Sequence, residues 1–202
     1  MQKFTIHSKT PQERLTKQIA DRLMDGEIGA IPTDSGYSLI SSLDNSKGRE
    51  RIIQIRSLDE NHFFTLLCAG LADLSTYANV NNANFKLIKR LIPGPYTFIL
   101  PITREVPKRL AHPKRKTIGI RSPDSTVIRD IINWNKEPLM SVSLSFLELT
   151  KSYENSSEEI AEYLEKHIDF FVDTGEFIVG ETTVIDCCQT EPEIIRQGIG
   201  EI

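Results

Sequence analysis

The sequence predicts a single α/β domain over residues 1–202. Three observations lead there. Apolar runs of strand length alternate with stripes at helical spacing along the chain. A length of 202 residues is enough to bury one sizeable core. No internal repeat or low-complexity linker divides it, and the most loop-like internal stretch is 147–155.

The elements follow in order. Thr10, Pro11 and Glu13 carry a capping-box pattern with proline at the first helical position. Leu15, Ile19 and Leu23 then recur every four residues, and Gly26 supplies the stop. A buried strand reaches Ile31, a polar turn follows, and a second strand runs over 37–43. Residues 46–56 read as a helix with Ile52, Ile53 and Ile55 inward, and 63–68 as a buried strand. A short helix covers 71–77. Asn82 is placed to cap the next helix, with Phe85, Ile88, Leu91 and Ile92 inward, and Pro93-Gly94-Pro95 ends it. Strands are predicted over 96–102 and 117–121, then a helix over 125–134. Residues 139–145 alternate apolar and hydroxyl side chains, as a half-polar strand does. Ser156 and Glu159 cap a helix reaching about residue 166, and three short strands close the chain near 168–172, 183–187 and 193–196.

Composition narrows the function classes. Hydrophobic content of 39% and charged content of 26% are ordinary for a water-soluble protein. No window approaches the length of a membrane span, and residues 1–7 hold no apolar signal core, so a cytoplasmic location without a membrane partner is expected. Cys68, Cys187 and Cys188 are odd in number and read as free buried thiols. The four histidines have no metal-ligand spacing, and no metal site is assigned. The net charge of −4 argues against a protein that coats itself with nucleic acid. One local exception is the segment 104–116, where Arg104, Lys108, Arg109, Lys114, Arg115 and Lys116 face Glu105 alone. A solvated loop and an electrostatic role both fit that run.

The most informative stretch is Pro32-Thr33-Asp34-Ser35-Gly36-Tyr37, at the exit of a strand. Three hydroxyls and a carboxylate there are what a polar small-molecule site needs, although a plain polar turn has the same composition. Three further segments accompany it. They are Pro93-Gly94-Pro95-Tyr96-Thr97, then Lys116-Thr117-Ile118-Gly119-Ile120-Arg121, and last Thr182-Thr183-Val184-Ile185-Asp186 with Ile194-Ile195-Arg196-Gln197-Gly198. In this order and spacing, from about Gln12 onward, the chain resembles the YrdC/YciO family, and the YciO branch most closely.

The resemblance implies a twisted, mixed, open sheet flanked by helices, with a large concave cleft. Active members join bicarbonate, L-threonine and ATP, with Mg2+, into L-threonylcarbamoyladenylate for tRNA modification. Carried over by motif, Thr33, Ser35, Tyr37, Thr117, Arg121 and Thr182 would line the threonine end. Arg56, Ser143, Ser145 and Arg196 would meet the nucleotide. Lys108, Arg109, Lys114, Arg115 and Lys116 would hold double-stranded RNA or tRNA. No catalytic residue is assigned. Arg121 is expected to be partly exposed near Thr33 or Tyr37, so that its removal costs little stability.

Two departures from the active pattern stand out. Active members carry K-x-R after the second helix, where this chain has Arg56-Ser57-Leu58. They also carry S-x-N where it has Ser143-Leu144-Ser145. A pocket histidine of many members falls at Leu66–Leu67, where nothing polar stands. The expected function is therefore nucleotide or RNA binding with weak synthase activity. A non-catalytic RNA-binding module, or an enzyme acting on another nucleotide or carbamoyl substrate, is the alternative.

Overall fold

The structure, a computed structural model, describes residues 1–59, 62–144 and 156–202. Its strands are β1 (Gln2–Thr5), β2 (Gly29–Thr33), β3 (Gly36–Ser42), β4 (Thr65–Leu67), β5 (Tyr96–Pro101), β6 (Thr117–Arg121), β7 (Leu139–Ser143), β8 (Phe170–Asp173), β9 (Thr183–Asp186) and β10 (Glu193–Arg196). Its helices are α1 (Glu13–Met24), α2 (Ser46–Ile55), α3 (Leu71–Tyr77), α4 (Asn82–Leu91), α5 (Thr126–Asn135) and α6 (Ser157–Leu164). The strands form one sheet in the order β1-β8-β2-β3-β7-β4-β6-β5-β9-β10. The sheet is mixed: β1 with β8, β8 with β2, β4 with β6 and β5 with β9 run parallel, and the other neighbours antiparallel.

Alternation along the strands divides the core in two. Ile31, Ile40 and Phe170 point to one face, where α1 (Ile19, Leu23) and α5 (Val127, Ile128, Ile131) cover them. Ala30, Leu39, Leu66, Met140, Phe98 and Ile120 point to the other, against Ile52 of α2, Leu74 of α3, Ile88 of α4 and Leu164 of α6. Each such side chain contributes roughly 1.5–3 kcal/mol on burial. The second face is packed along the sheet. The first is packed by α1 and α5 around β8, β2 and β3, and from β7 to β9 it opens into a cleft.

Several elements begin elsewhere than the sequence suggests. β1 was not foreseen. Only Phe4 of its four residues is buried, so it carries no alternating signal, and its partner β8 supplies the order. α1 starts at Glu13 with Gln12 as its N-cap and no side-chain capping bond. Thr10 is occupied instead by His7, whose Nδ1 accepts from the Thr10 amide and lies 2.9 Å from its hydroxyl. α4 is capped by Asn81, one residue before the expected Asn82, and Phe85 faces outward at 36% exposure. The strand expected over 63–68 spans only Thr65–Leu67, which leaves Phe63 half exposed. Ser145 and the loop read at 147–155 lie outside the described residues. α6 has the expected box, with Ser156 and Glu159 exchanging hydrogen bonds. No helix among the described residues is long and apolar enough to cross a membrane.

Candidate functional site

The open part of the first sheet face is floored by small polar side chains in register. Thr65 pairs with Ser141 on one side and Gly119 on the other. Thr97 and Thr182 continue the floor towards β9. This chamber, about 260 Å³, is walled by Arg56, His62, Arg121 and Arg196. A second chamber of about 300 Å³ adjoins it and shares Phe63, Thr65, Thr97 and Val184. Its own lining includes Phe64, Ile99, His112, Arg115, Thr117 and Ile118.

Arg121 ends β6 and is 2% exposed, which corrects the expectation of partial exposure. One Nη donates to Asp34 Oδ1 and Ser35 Oγ, both at 2.8 Å, with Thr33 Oγ1 at 3.5 Å. Asp34 accepts the Asp124 amide on its other oxygen at 2.8 Å. The Thr33 hydroxyl is itself spent in the turn: it donates to the Gly36 carbonyl at 2.7 Å and accepts the Ser35 amide at 3.1 Å. Thr33 and Ser35 thus hold Arg121 rather than standing free in the cleft. Burial lifts the Asp34 carboxyl, and the Arg121 charge and the Asp124 amide oppose that rise. Burial likewise lowers the affinity of Arg121 for its proton, against the pull of Asp34. A guanidinium does not give up its proton near neutrality, so the pair is ionic. Arg121 Nε is shielded from water and has no hydrogen-bond partner among the described residues.

Arg196 reaches the same chamber from the end of β10. Its Nε and one Nη donate to the Thr182 carbonyl at 3.2 and 3.0 Å, and the same Nη to the Thr182 hydroxyl at 3.3 Å. Thr182 Oγ1 is 2.8 Å from Thr97 Oγ1 in the buried floor. The chain after Arg196 is fastened below. Thr183 Oγ1 accepts the Gly198 amide at 2.9 Å and donates to the Gly200 carbonyl at 2.7 Å. Gly198 lies so close to β9 that an added Cβ would sit 2.2 Å from the Glu181 carbonyl oxygen.

Tyr37 is not in the cleft. It is 1% exposed on the opposite sheet face, stacked on Phe171 with ring centroids 4.9 Å apart. Successive residues of a strand point to opposite faces, so Thr33 and Tyr37 cannot both line one wall. Burial, then the charges of Asp173 and Glu158, push its hydroxyl pKa well up. Thr117 lies in the second chamber, apart from Arg121. Ser143 and Arg56 line the first chamber.

A family model for Sua5, YciO and YrdC proteins, described as "Telomere recombination", matches residues 21–198. The chain belongs to the Sua5/YciO/YrdC family. It is 41% identical to the uncharacterised protein YciO of Escherichia coli over 199 residues, 98% of this chain and 96% of that protein. An uncharacterised protein of Haemophilus influenzae is 42% identical over 197 residues, 98% and 95% of the two chains. The crystal structure of E. coli YciO superposes with a TM-score of 0.90, covering 99% of this chain and 97% of that one. Pyrococcus abyssi Sua5 complexed with L-threonine has the same fold, with a TM-score of 0.84, 23% identity and coverage of 98% of this chain and 58% of that one. Threonylcarbamoyl-AMP synthases are more distant relatives, at 26% identity for the P. abyssi protein over 87% of this chain and 52% of that protein.

Leu58, where the resemblance leads one to expect a second cation, is partly buried against the core of the second sheet face. Sequence reasoning missed His62, Phe63 and Glu181. Phe63 reads as the start of a buried strand, and His62 had no partner by spacing. His62 lines the first chamber, where burial and then the charges of Arg56 and Arg49 push its pKa down. Glu181 pairs with Arg196 at 3.3 Å, with both side chains largely exposed. The expected basic patch is exposed but divided. Arg109 turns back to the Leu43 carbonyl and Asp44, both at 3.2 Å. Arg115 binds Asp186 at 2.5 Å on the wall of the second chamber. Lys108 and Lys116 line a separate open groove with Arg104, and Lys114 is exposed.

Proposed function

We propose that the cleft binds an adenine nucleotide beside a small amino acid of the threonine class and forms L-threonylcarbamoyladenylate slowly. The observation that carries this reading is the Arg121 guanidinium. It is buried, locked on one edge by Asp34 and Ser35, and lines the first chamber. A guanidinium in a chamber wall suits a carboxylate, to which it gives charge-assisted hydrogen bonds. Arg56 and Arg196, in the same chamber, suit the phosphates. The L-threonine complex of the P. abyssi relative supports the amino-acid half.

The reaction balances without a residue acting as nucleophile. Bicarbonate and the threonine amine form a carbamate and water. A carbamate oxygen then attacks the α-phosphorus, and pyrophosphate leaves with the electrons of the broken P–O bond. Positioning and cationic stabilisation of the phosphates supply the rate. Mg2+ would arrive on the phosphates. Among the described residues no group of three His, Cys, Asp or Glu could hold a metal, and Glu181 is paired with Arg196. With Leu58 in place of a cation, turnover should fall roughly ten- to hundredfold below a full phosphate grip. The test is pyrophosphate release with ATP, bicarbonate and L-threonine. Slow release that needs threonine is expected; no threonine-dependent release, or no ATP binding by calorimetry, rejects the reading.

A second reading, RNA along the basic rim, is favoured by the open groove of about 830 Å³ lined by Arg104, Lys108 and Lys116. If RNA lies there, the slope of log affinity against log salt should shrink by about one for each phosphate contact removed. The double variant Lys108→Ala/Lys116→Ala should therefore bind more weakly and with less salt dependence. Unchanged RNA affinity in that variant rejects the groove.

A further inference from the structure

The two chambers of the cleft differ in chemistry, and the difference gives a bound nucleotide a direction. The first is cationic on balance, walled by Arg56, Arg121 and Arg196 against Glu181 alone, over a hydroxyl floor. The second is walled by Phe63, Phe64, Ile99 and Ile118, and its arginine, Arg115, is already bound to Asp186. Phe63 stands at the boundary and lines both. It is a phenylalanine kept 52% exposed to solvent, whereas most other large rings among the described residues are buried. Its ring is stacked on that of His112 at 4.6 Å with 12° between the planes.

His112 is itself fixed. Its Nδ1 accepts the amides of Lys114 and Arg115, at 3.2 and 3.1 Å, which sets the ring plane and the tautomer. The pair is thus a braced aromatic platform at the mouth of an apolar slot. Aliphatic groups gain nothing specific from such a surface, whereas a planar heterocycle stacks on it.

We infer that the second chamber receives the base of the nucleotide, stacked on Phe63, with the phosphates in the first chamber. This rests on the nucleotide reading above and adds the orientation and the residue that reads the base. Exposure of Phe63 means its replacement should leave the fold intact, which a melting curve checks.

Calorimetry with ATP and with inorganic triphosphate separates the two ends of the ligand. Phe63→Ala should weaken ATP roughly ten- to hundredfold, the range of one base–aromatic stack, and leave triphosphate binding unchanged. Phe63→Trp should retain ATP binding. Equal weakening of both probes, or of neither, overturns the inference. So does a wild-type protein that binds triphosphate as tightly as ATP, which would leave an anion site that ignores the base. A wild-type protein that binds neither probe rejects the nucleotide reading itself, and the orientation with it.

Discussion

Arg121→Ala should destabilise the protein by about 3–5 kcal/mol, the cost of leaving one member of a buried ion pair without its partner. The stranded group is Asp34, whose side chain is 8% exposed and loses a 2.8 Å partner. Ser35 and Thr33 lose the donor that ties their turn to β6. In a chain of this size the melting point should drop on the order of 10 °C. Asp34→Asn in the same background should recover part of the loss, because an amide does not demand a counter-charge. Arg121→Lys should fall between, since one ammonium cannot span Asp34 and Ser35 with the geometry of the fork. Urea unfolding of the four proteins makes the comparison. A loss below about 1 kcal/mol for Arg121→Ala would mean that the pair is not the keystone of this end of the cleft.

Gly198→Ala should be the most damaging conservative change near the C-terminal strand. An added Cβ would meet the Glu181 carbonyl oxygen at 2.2 Å and the Thr182 carbonyl carbon at 2.4 Å. Both are backbone atoms of a segment leading into β9, so neither can step aside as a side-chain tip would. The upper end of the usual overpacking cost, about 3 kcal/mol, is expected. The tail must lift, and Arg196 is carried with it, since Thr182 holds that guanidinium through three hydrogen bonds. ATP affinity should therefore fall about tenfold along with stability. Gly70→Ala is the control: nothing lies within 4 Å of its added Cβ, and a loss below about 1 kcal/mol is expected. Equal melting of the Gly198 and Gly70 variants would reject the tight seat of the tail.

Much of this architecture is legible in the chain because its helices are amphipathic and its strands apolar. α5 shows its inner face as Val127, Ile128, Ile131 and Ile132, and α6 announces its start with Ser156 and Glu159. Two features hid the rest. Sheet order depends on non-local pairing, so β1, polar in sequence and made a strand by β8, leaves no local trace. The site is assembled from strand ends far apart in sequence. Motifs gave Arg121 and Arg196, which line one cleft, but a contiguous motif does not mean a contiguous surface. Pro32 to Tyr37 crosses a tight turn, and one step of strand register sends Tyr37 into the core. Phe63 was hidden by the opposite effect, an aromatic residue that looks like core and stands in the open.

The asymmetry of the sheet has a practical consequence. One face is packed under helices from β8 to β9, whereas from β7 to β9 the other meets solvent. A compound seated there completes a layer that the chain leaves unfinished, and it binds only the native state. By mass action, a ligand at a hundred times its dissociation constant adds about 2.7 kcal/mol to stability. For a chain of this length that is a melting shift of several degrees, on the order of 5–10 °C. The temperature of unfolding is thus a label-free gauge of occupancy. A panel of nucleotides, amino acids and short RNAs can be ranked by heating the protein with each, before any reaction is assayed.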